Sequence, residues 1–273
     1  MKNIFVILLA CFSYAQCTAQ DSVLKVQLVE TIRGEIRDFA TDNLGNIYLV
    51  KQGNQIKKLN AKGDSLAVYN DVKRYGNIYS IDATNPLKVL VYFKDFSTII
   101  ILDRLLAVRN VIDLRKQNIL QVNAIASSYD NNIWLYDELD SKLKKIDDNG
   151  NVLVESTDFR QVFDSVPSPS NVYDRDGQLY LYDAKQGLMV FDYYGGKKNN
   201  LQLLNYTDLQ VIDKSTISAR DSSHIVLFKP ATFQMFAFNV FKDQQQFSKI
   251  NFNGKFLYCL SKEGNLEVYE VMK

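Results

Sequence analysis

The sequence AIASSYDNNIWLYDELDSKLKKIDDNGNVLVE, residues 124–155, decides the fold of the whole chain. Its central run, residues 133–136, is β-branched and aromatic without a polar break, which favours a strand buried on both faces. Residues 129–132 and 147–151 are rich in Asp, Asn and Gly, which favours tight turns. The stretch therefore predicts short antiparallel strands joined by turns, the organisation of one β-propeller blade.

The same pattern recurs along the chain, as expected because a single blade cannot bury both of its faces alone. Six copies align at the start of their second strands, at Ile47, Val89, Ile133, Leu179, Ile225 and Phe256. The spacings are 42, 44, 46, 46 and 31 residues, and the first four match the roughly 40–50 residues of one blade. We predict an all-β fold, a six-bladed β-propeller of four-stranded antiparallel blades. The short last spacing predicts an abbreviated outer strand or connection in the fifth blade.

The two ends of the chain carry the strands that would close the ring. The sixth blade ends near residues 269–272, at its third strand, and residues 23–31, VLKVQLVET, alternate like a strand. We predict that this N-terminal strand completes the last blade, which removes an open sheet edge. Residues 20–273 would then form a single propeller domain.

Two segments carry a more specific pattern. Residues 42–51, DNLGNIYLVK, and residues 174–183, DRDGQLYLYD, both fit D-x-x-G-x-[IL]-[YW]-[LV]-x-[DK]. Through these residues the chain resembles the six-bladed propellers of the NHL-repeat and gluconolactonase-like (TolB-like) type, although other blades lack the glycine. Such propellers include binding modules, scaffolds and a few hydrolases, so the resemblance does not select one function.

The N-terminus has the composition of a secretory signal peptide. Lys2 is followed by a short apolar run and by the small residues Cys17 and Ala19, which predicts removal of residues 1–19 by cleavage after Ala19. Alternatively, residues 8–11, LLAC, resemble a bacterial lipobox in which Cys11 is lipidated. The apolar run is too short for a stable membrane anchor. We therefore expect a periplasmic or secreted protein, with lipid anchoring to the envelope as the alternative.

The charge balance excludes some classes of partner. The chain has 32 Lys and Arg against 31 Asp and Glu, and the only charged side chain removed with the signal peptide is Lys2. A neutral mature chain without a basic run is not expected to bind nucleic acid. After cleavage Cys259 is the only cysteine left, and its position between Tyr258 and Leu260 predicts a buried small hydrophobic residue.

Few residues offer catalytic chemistry. The only histidine, His224, follows Asp-Ser-Ser in a predicted surface turn, and no G-x-S-x-G motif accompanies it, so no Ser-His-Asp triad is predicted. Asp174-x-Asp176-Gly177 and residues 147–151 resemble calcium-binding clusters, but neither continues as an EF-hand and both fall where turns are expected. We expect no cofactor, with calcium as the alternative.

The gluconolactonase-like resemblance implies a divalent metal held by carboxylate and amide groups around the central channel. The innermost strands offer Asp38, Asp82, Asn123 and Asn171 for this role, without a glutamate. A metal-dependent lactonase or esterase is therefore the alternative function.

Topology also predicts a binding site, because propellers commonly bind at the end of the ring where loops lead into the innermost strands. The candidate binding residues at this channel mouth are Arg37, Asp38, Tyr79, Asn123 and Asn171. Residues that follow the second strands should face the same end, namely Lys51, Lys94, Asp137, Asp183 and Lys229. Tyrosines in connecting segments are further candidates for a contact surface, namely Tyr75, Tyr193, Tyr194 and Tyr206.

The sequence thus favours an exported, non-enzymatic propeller that acts as a binding or scaffold protein of the bacterial cell envelope. Its partner would be a protein, a peptide or a glycan, and the mature chain would have no transmembrane segment. A structural subunit of a larger surface assembly is a further alternative.

Overall fold

Six four-stranded antiparallel sheets form the blades of a ring in the computed structural model, which describes residues 24–70 and 74–272. The first strand, β1 (Val26–Ile32), belongs to the last blade. Blades 1 to 3 contain β2 (Ile36–Thr41), β3 (Ile47–Lys51), β4 (Ile56–Leu59), β5 (Ser65–Tyr69), β6 (Ser80–Asp82), β7 (Val89–Phe93), β8 (Thr98–Leu102), β9 (Val108–Asp113), β10 (Val122–Ser127), β11 (Ile133–Asp137), β12 (Lys142–Ile146) and β13 (Val152–Glu155). Blades 4 to 6 contain β14 (Asn171–Arg175), β15 (Gln178–Asp183), β16 (Gly187–Phe191), β17 (Lys197–Leu201), β18 (Thr207–Asp213), β19 (Thr216–Arg220), β20 (Ile225–Lys229), β21 (Gln234–Phe238), β22 (Phe247–Asn253), β23 (Phe256–Ser261) and β24 (Leu266–Val271). Short 3-10 helices lie in the connections, at Gln52–Asn54, Lys94–Phe96, Leu114–Gln117, Phe159–Gln161 and Gln244–Gln246.

This architecture confirms the predicted all-β, six-bladed propeller and the way its ring closes. Strand β1 pairs antiparallel with β24, from Val26 opposite Val271 to Ile32 opposite Leu266. The last blade therefore joins the N-terminal part of the described chain to its C-terminal part. The predicted signal peptide, residues 1–19 with Cys11, lies outside the described residues. In residues 24–70 and 74–272, no helix has the length and apolarity needed to cross a membrane.

The hydrophobic core consists of six separate layers, one between each pair of neighbouring blades. Successive residues of a second strand contribute to different layers, since Val89 and Val91 pack toward blade 1 whereas Leu90 and Tyr92 pack toward blade 3. This alternation explains why most residues of the second strands are apolar, as predicted from residues 133–136, although β19 with Ser218 and Arg220 departs from the pattern.

The fifth blade differs from its predicted arrangement. Placing the second strand at Ile225 would make residues 217–221 the innermost strand, but β18 (Thr207–Asp213) occupies that position and β19 is the second strand. Lys229 therefore ends the third strand, β20, and its predicted place after a second strand was wrong. The equivalent of Leu179 is therefore Ile217 rather than Ile225. The last two spacings become 38 and 39 residues, so the fifth blade is not abbreviated. The polar composition of β18, TDLQVID, concealed this strand in the sequence.

A repeated hydrogen bond ties neighbouring blades together at four junctions of the ring, from blade 2 to blade 6. Four residues in the same position of their second strands donate to a backbone carbonyl in or just before the innermost strand of the following blade. The pairs are Tyr92 to Val122 (3.1 Å), Tyr136 to Pro167 (2.8 Å), Tyr182 to Tyr206 (2.7 Å) and Arg220 Nη1 to Phe247 (2.8 Å). The sequence pattern of the second strands does not indicate these hydrogen bonds, because their acceptors lie in another blade.

We predict that Tyr136→Phe lowers the free energy of unfolding by about 1–3 kcal/mol, because the buried Pro167 carbonyl loses its donor. Urea unfolding measures the loss as a lower midpoint with an unchanged m-value. Tyr194→Phe is the matched control, since Tyr194 is 89% exposed and its hydroxyl should contribute little. Equal stability of the two variants would contradict a role for this hydrogen bond.

Candidate functional site at the mouth of the central channel

The innermost strands of all six blades enclose a central cavity of about 330 Å³. Four of the five predicted binding residues line it, namely Asp38, Tyr79, Asn123 and Asn171. The fifth, Arg37, is not part of the lining, and its Nη2 donates to the carbonyl of Ile78 at 2.8 Å. Arg37 therefore links blade 1 to blade 2, and its role at the channel mouth stays a prediction.

Loops that lead into the innermost strands meet the loops between second and third strands at one end of the ring. Backbone hydrogen bonds join the two sets of loops, from Gln52 N to Glu35 O (3.0 Å) and from Glu138 N to Gln121 O (2.9 Å). The remaining turns lie at the opposite end. We call these two ends the mouth face and the exit face.

A polar network occupies the mouth face between blades 2, 3 and 4. The amide of Asn123 donates to Glu138 and to Ser168 Oγ (3.1 Å), and Ser168 Oγ also donates to Glu138. Lys94 Nζ donates to Asn123 Oδ1 at 2.5 Å, as expected from the predicted position of Lys94 at this end. Asn123 is therefore held in place by residues from the loops around it.

Tyr79 lies beside this network and is 46% exposed. Its ring has Lys94 Nζ 4.8 Å from the centroid and contacts Tyr92 edge-to-face at 5.8 Å. A partly exposed ring that is already held by two neighbours can contact a partner without a large loss of conformational entropy.

Sequence reasoning missed two members of the network, Glu138 and Ser168. Glu138 is the residue after Asp137, which was predicted to face this end, so extending the rule by one position would have found it. Ser168 lies in the loop Val166-Pro167-Ser168-Pro169-Ser170, where only its contact with blade 3 reveals its position.

Channel carboxylates are engaged with the neighbouring blade. Asp38 pairs with Lys249 Nζ at 2.6 Å, and Asp208 accepts from Arg220 (2.8 Å) and from the N–H of Ile250 (2.9 Å). Burial nevertheless raises the pKa of the Asp208 carboxyl above its usual value. These groups join strands of adjacent blades that share no backbone ladder.

Two of the four proposed metal ligands, Asp38 and Asp82, already have polar partners. Lys249 Nζ lies 2.6 Å from Asp38, and an ammonium group opposes a cation at that carboxylate. Asp82 accepts hydrogen bonds from the N–H groups of Thr84 (2.7 Å) and Ser127 (2.5 Å). Within the described residues, no group of three or more His, Cys, Asp or Glu side chains is arranged to hold an ion.

The two candidate calcium clusters have other roles in this structure. Asp174 accepts hydrogen bonds from four groups of blades 3 and 4, namely Ser128 Oγ (3.1 Å), Tyr129 N (3.1 Å), Trp134 Nε1 (3.2 Å) and Tyr193 Oη (2.6 Å). Asp147 accepts from the N–H groups of Asn149 and Asn151, both at 2.8 Å, in a turn between β12 and β13. The turn interpretation therefore holds for Asp147, whereas Asp174 joins two blades.

The histidine and the cysteine of the described residues lie away from the channel lining. His224 is in the turn between β19 and β20, with Nδ1 3.3 Å from Asp221 Oδ2. Cys259 is fully buried in β23, as predicted, and burial raises the pKa of its thiol.

We predict that neither calcium nor a chelator changes the thermal midpoint of unfolding of the mature protein. A specific site would add about 2.7 kcal/mol of stability at a calcium concentration 100 times its Kd. Thermal unfolding with calcium and with EDTA, together with elemental analysis, measures this directly. A stoichiometric ion, or a midpoint that rises with calcium, would contradict the blocked position of Asp38.

No protein-family model and no curated protein sequence matches this chain. Solved structures do. A streptogramin B lyase is similar with 13% identity and a TM-score of 0.60, covering 86% of this chain and 78% of that one. A catalytically inactive virginiamycin B lyase from Staphylococcus aureus with quinupristin has 10% identity and a TM-score of 0.64, covering 91% and 100%. The Cps50 (Swd1) β-propeller domain from Myceliophteria thermophila has 8% identity and a TM-score of 0.62, with the same coverage of 91% and 100%.

Similarity at these identities establishes the fold alone. The matched proteins include lyases and a propeller domain of a different kind, which agrees with the rule that a propeller does not determine its function. The resemblance to NHL-repeat and gluconolactonase-like propellers stays a prediction. The chain is therefore a six-bladed β-propeller whose function must be argued from its own surfaces.

Proposed function

We propose that this chain is an exported, non-enzymatic propeller of the bacterial cell envelope that binds a protein partner across its mouth face. The observation that carries this proposal is the composition of that face, where exposed apolar side chains surround the polar network of Asn123. Protein interfaces combine an apolar contact area with a few placed hydrogen-bonding groups.

Apolar side chains are numerous in the loops of the mouth face. Each residue in the following group is at least 40% exposed: Tyr79, Phe96, Leu120, Leu139, Val162, Val166 and Leu204. They come from loops of blades 2 to 5, so they extend over much of the ring. Exposed apolar surface distributed over one face supports contact with a large partner.

Polar groups of the same face would orient that partner. Lys94, Asn123 and Glu138 already hydrogen bond to one another, and Tyr79 stands beside them with part of its ring exposed. A pre-ordered polar centre favours specific binding, since little side-chain entropy is lost when the partner arrives.

The engagement of the channel charges also favours binding over catalysis. Asp38, Asp82 and Asp208 each accept hydrogen bonds from another blade or from Lys249. Groups committed in this way stabilise the ring, and a hydrolase would need at least one of them free to activate water.

The proposed export predicts a defined mature N-terminus. Full-length protein produced in a bacterial host should appear in the envelope fraction with residues 1–19 removed, so that intact mass begins at Gln20. A diacylated or triacylated N-terminal Cys11 would instead establish the lipid-anchored alternative. An unprocessed chain in the cytoplasm would contradict export.

Two matched substitutions test the mouth face. We predict that Leu139→Glu weakens capture of the partner at least about tenfold, because an unpaired charge is buried in the contact. Leu105→Glu is the control, since Leu105 is 59% exposed, compared with 52% for Leu139, but lies in a turn of the exit face. Quantitative mass spectrometry of envelope proteins retained by each immobilised variant gives the measurement.

Retention of the same proteins by both variants would show that the mouth face is not the contact surface. If no envelope protein is retained more strongly by the wild-type propeller and by Leu105→Glu than by Leu139→Glu, the proposed function is wrong.

A further inference from the structure

An aromatic stack stands on the exit face between blades 3 and 4, far from the polar network of the mouth. Tyr129, in the turn between β10 and β11, stacks on Tyr193 with ring centroids 4.7 Å apart and planes 14° from parallel. Tyr193, in the turn between β16 and β17, also stacks with Trp134 at 6.4 Å and 22°. The stack therefore runs from the buried Trp134 to the surface.

One buried carboxylate holds all three members of the stack. Asp174 accepts hydrogen bonds from the hydroxyl of Tyr193 (2.6 Å), the indole N–H of Trp134 (3.2 Å) and the backbone N–H of Tyr129 (3.1 Å). Lys145 Nζ adds contacts from the side, 5.1 Å from the ring centre of Trp134 and 5.8 Å from that of Tyr129. The position of the outer ring is thus set by the protein before any ligand arrives.

The outer ring is open to solvent. Tyr129 is 67% exposed although it stacks on Tyr193, and Trp134 at the other end is 1% exposed. Tyr194, next to Tyr193 in the same turn, is 89% exposed and provides a second aromatic surface. A ring that is exposed and already held by a stacked neighbour, as Tyr129 is, offers stacking area at low entropic cost.

The side chains around the stack are polar, and two pairs of oppositely charged side chains lie among them. Asp130 pairs with Lys145 at 2.7 Å, and Lys88 pairs with Asp148. The nearby amide of Asn131 is bonded to that of Asn85 (2.9 Å) and forms part of a neutral hydrogen-bonding rim. A charged ligand would find no uncompensated partner among these groups.

We propose that Tyr129 and Tyr194 form a binding site for the sugar rings of a neutral oligosaccharide. A pyranose presents an apolar C–H face that packs on a flat aromatic ring, while its hydroxyl groups hydrogen bond to amides at the rim. A peptide side chain fits less well, because the rings lie on an open surface with no apolar pocket around them. This site is on the opposite face from the proposed protein contact and does not depend on it.

The single tryptophan makes the site easy to observe, since Trp134 belongs to the stack and is the only tryptophan in the chain. The mature protein is titrated with neutral tetrasaccharides of glucose, N-acetylglucosamine, mannose, galactose and xylose, followed by calorimetry and tryptophan fluorescence. A Pro- and Trp-rich peptide is titrated in parallel. The expected result is saturable binding of at least one tetrasaccharide with a change in Trp134 emission.

Three variants locate the binding. Tyr129→Ala should weaken saccharide binding about tenfold or more, with an unchanged thermal midpoint because the ring is mostly exposed. Tyr129→Phe keeps the ring and should retain the affinity. Tyr79→Ala removes an exposed tyrosine of the mouth face and should leave saccharide binding unchanged.

Three results would overturn the proposal. These are no binding of any tetrasaccharide at about 10 mM, equal affinity of Tyr129→Ala and wild type, and binding of the peptide alone. None of these outcomes bears on protein capture by the mouth face, which Leu139→Glu tests separately.

Discussion

The innermost strands of neighbouring blades share no hydrogen-bonded ladder, and the rest of the ring depends on how their backbone groups are satisfied. Buried N–H and C=O groups need partners, so side chains cross from one blade to the next. The amide of Gln210 both donates to the carbonyl of Phe252 (2.8 Å) and accepts from its N–H (3.0 Å), reproducing a ladder pair. Asp82 likewise accepts from the N–H of Ser127. Much of the polarity of the channel is therefore a requirement of ring assembly.

This requirement changes how the channel is interpreted. A carboxylate in the channel of a propeller can suggest a catalytic or metal-binding role. Here Asp38 forms an ion pair with Lys249, and Asp208 forms an ion pair with Arg220. Groups at the two faces are more exposed to solvent than the channel carboxylates, although some of them also join blades. The mouth face combines apolar loops with the network around Asn123, whereas the exit face carries an ordered aromatic stack. Structural similarity to lyases describes the ring and not these surfaces.

The blade repeat could be predicted from the sequence wherever the second strand was apolar. The prediction of strand positions was wrong in the blade where that apolar pattern was weaker. In blade 5, β18 is mostly polar and the apolar β20 was taken for the second strand, so β19 was assigned to the innermost position. The conformation of the turn at residues 103–107 also could not be predicted from the sequence, because this turn contains no glycine. Leu106 adopts a left-handed φ of 61° there, and its side chain is buried between blades 1 and 2. Burial of that side chain compensates for an unfavourable backbone conformation, which local turn rules do not anticipate.

The sequence by itself determined the number of blades, the antiparallel order within them and the closure by the N-terminal strand. These features follow from local periodicity and turn composition, which a linear pattern records. Only the tertiary structure decided which side chains of different blades meet. Asp174 reaches Trp134 across 40 residues, and Asn123 reaches Ser168 across 45. Such contacts depend on the angle and spacing between twisted sheets, which arise from packing of whole blades and leave no local signature.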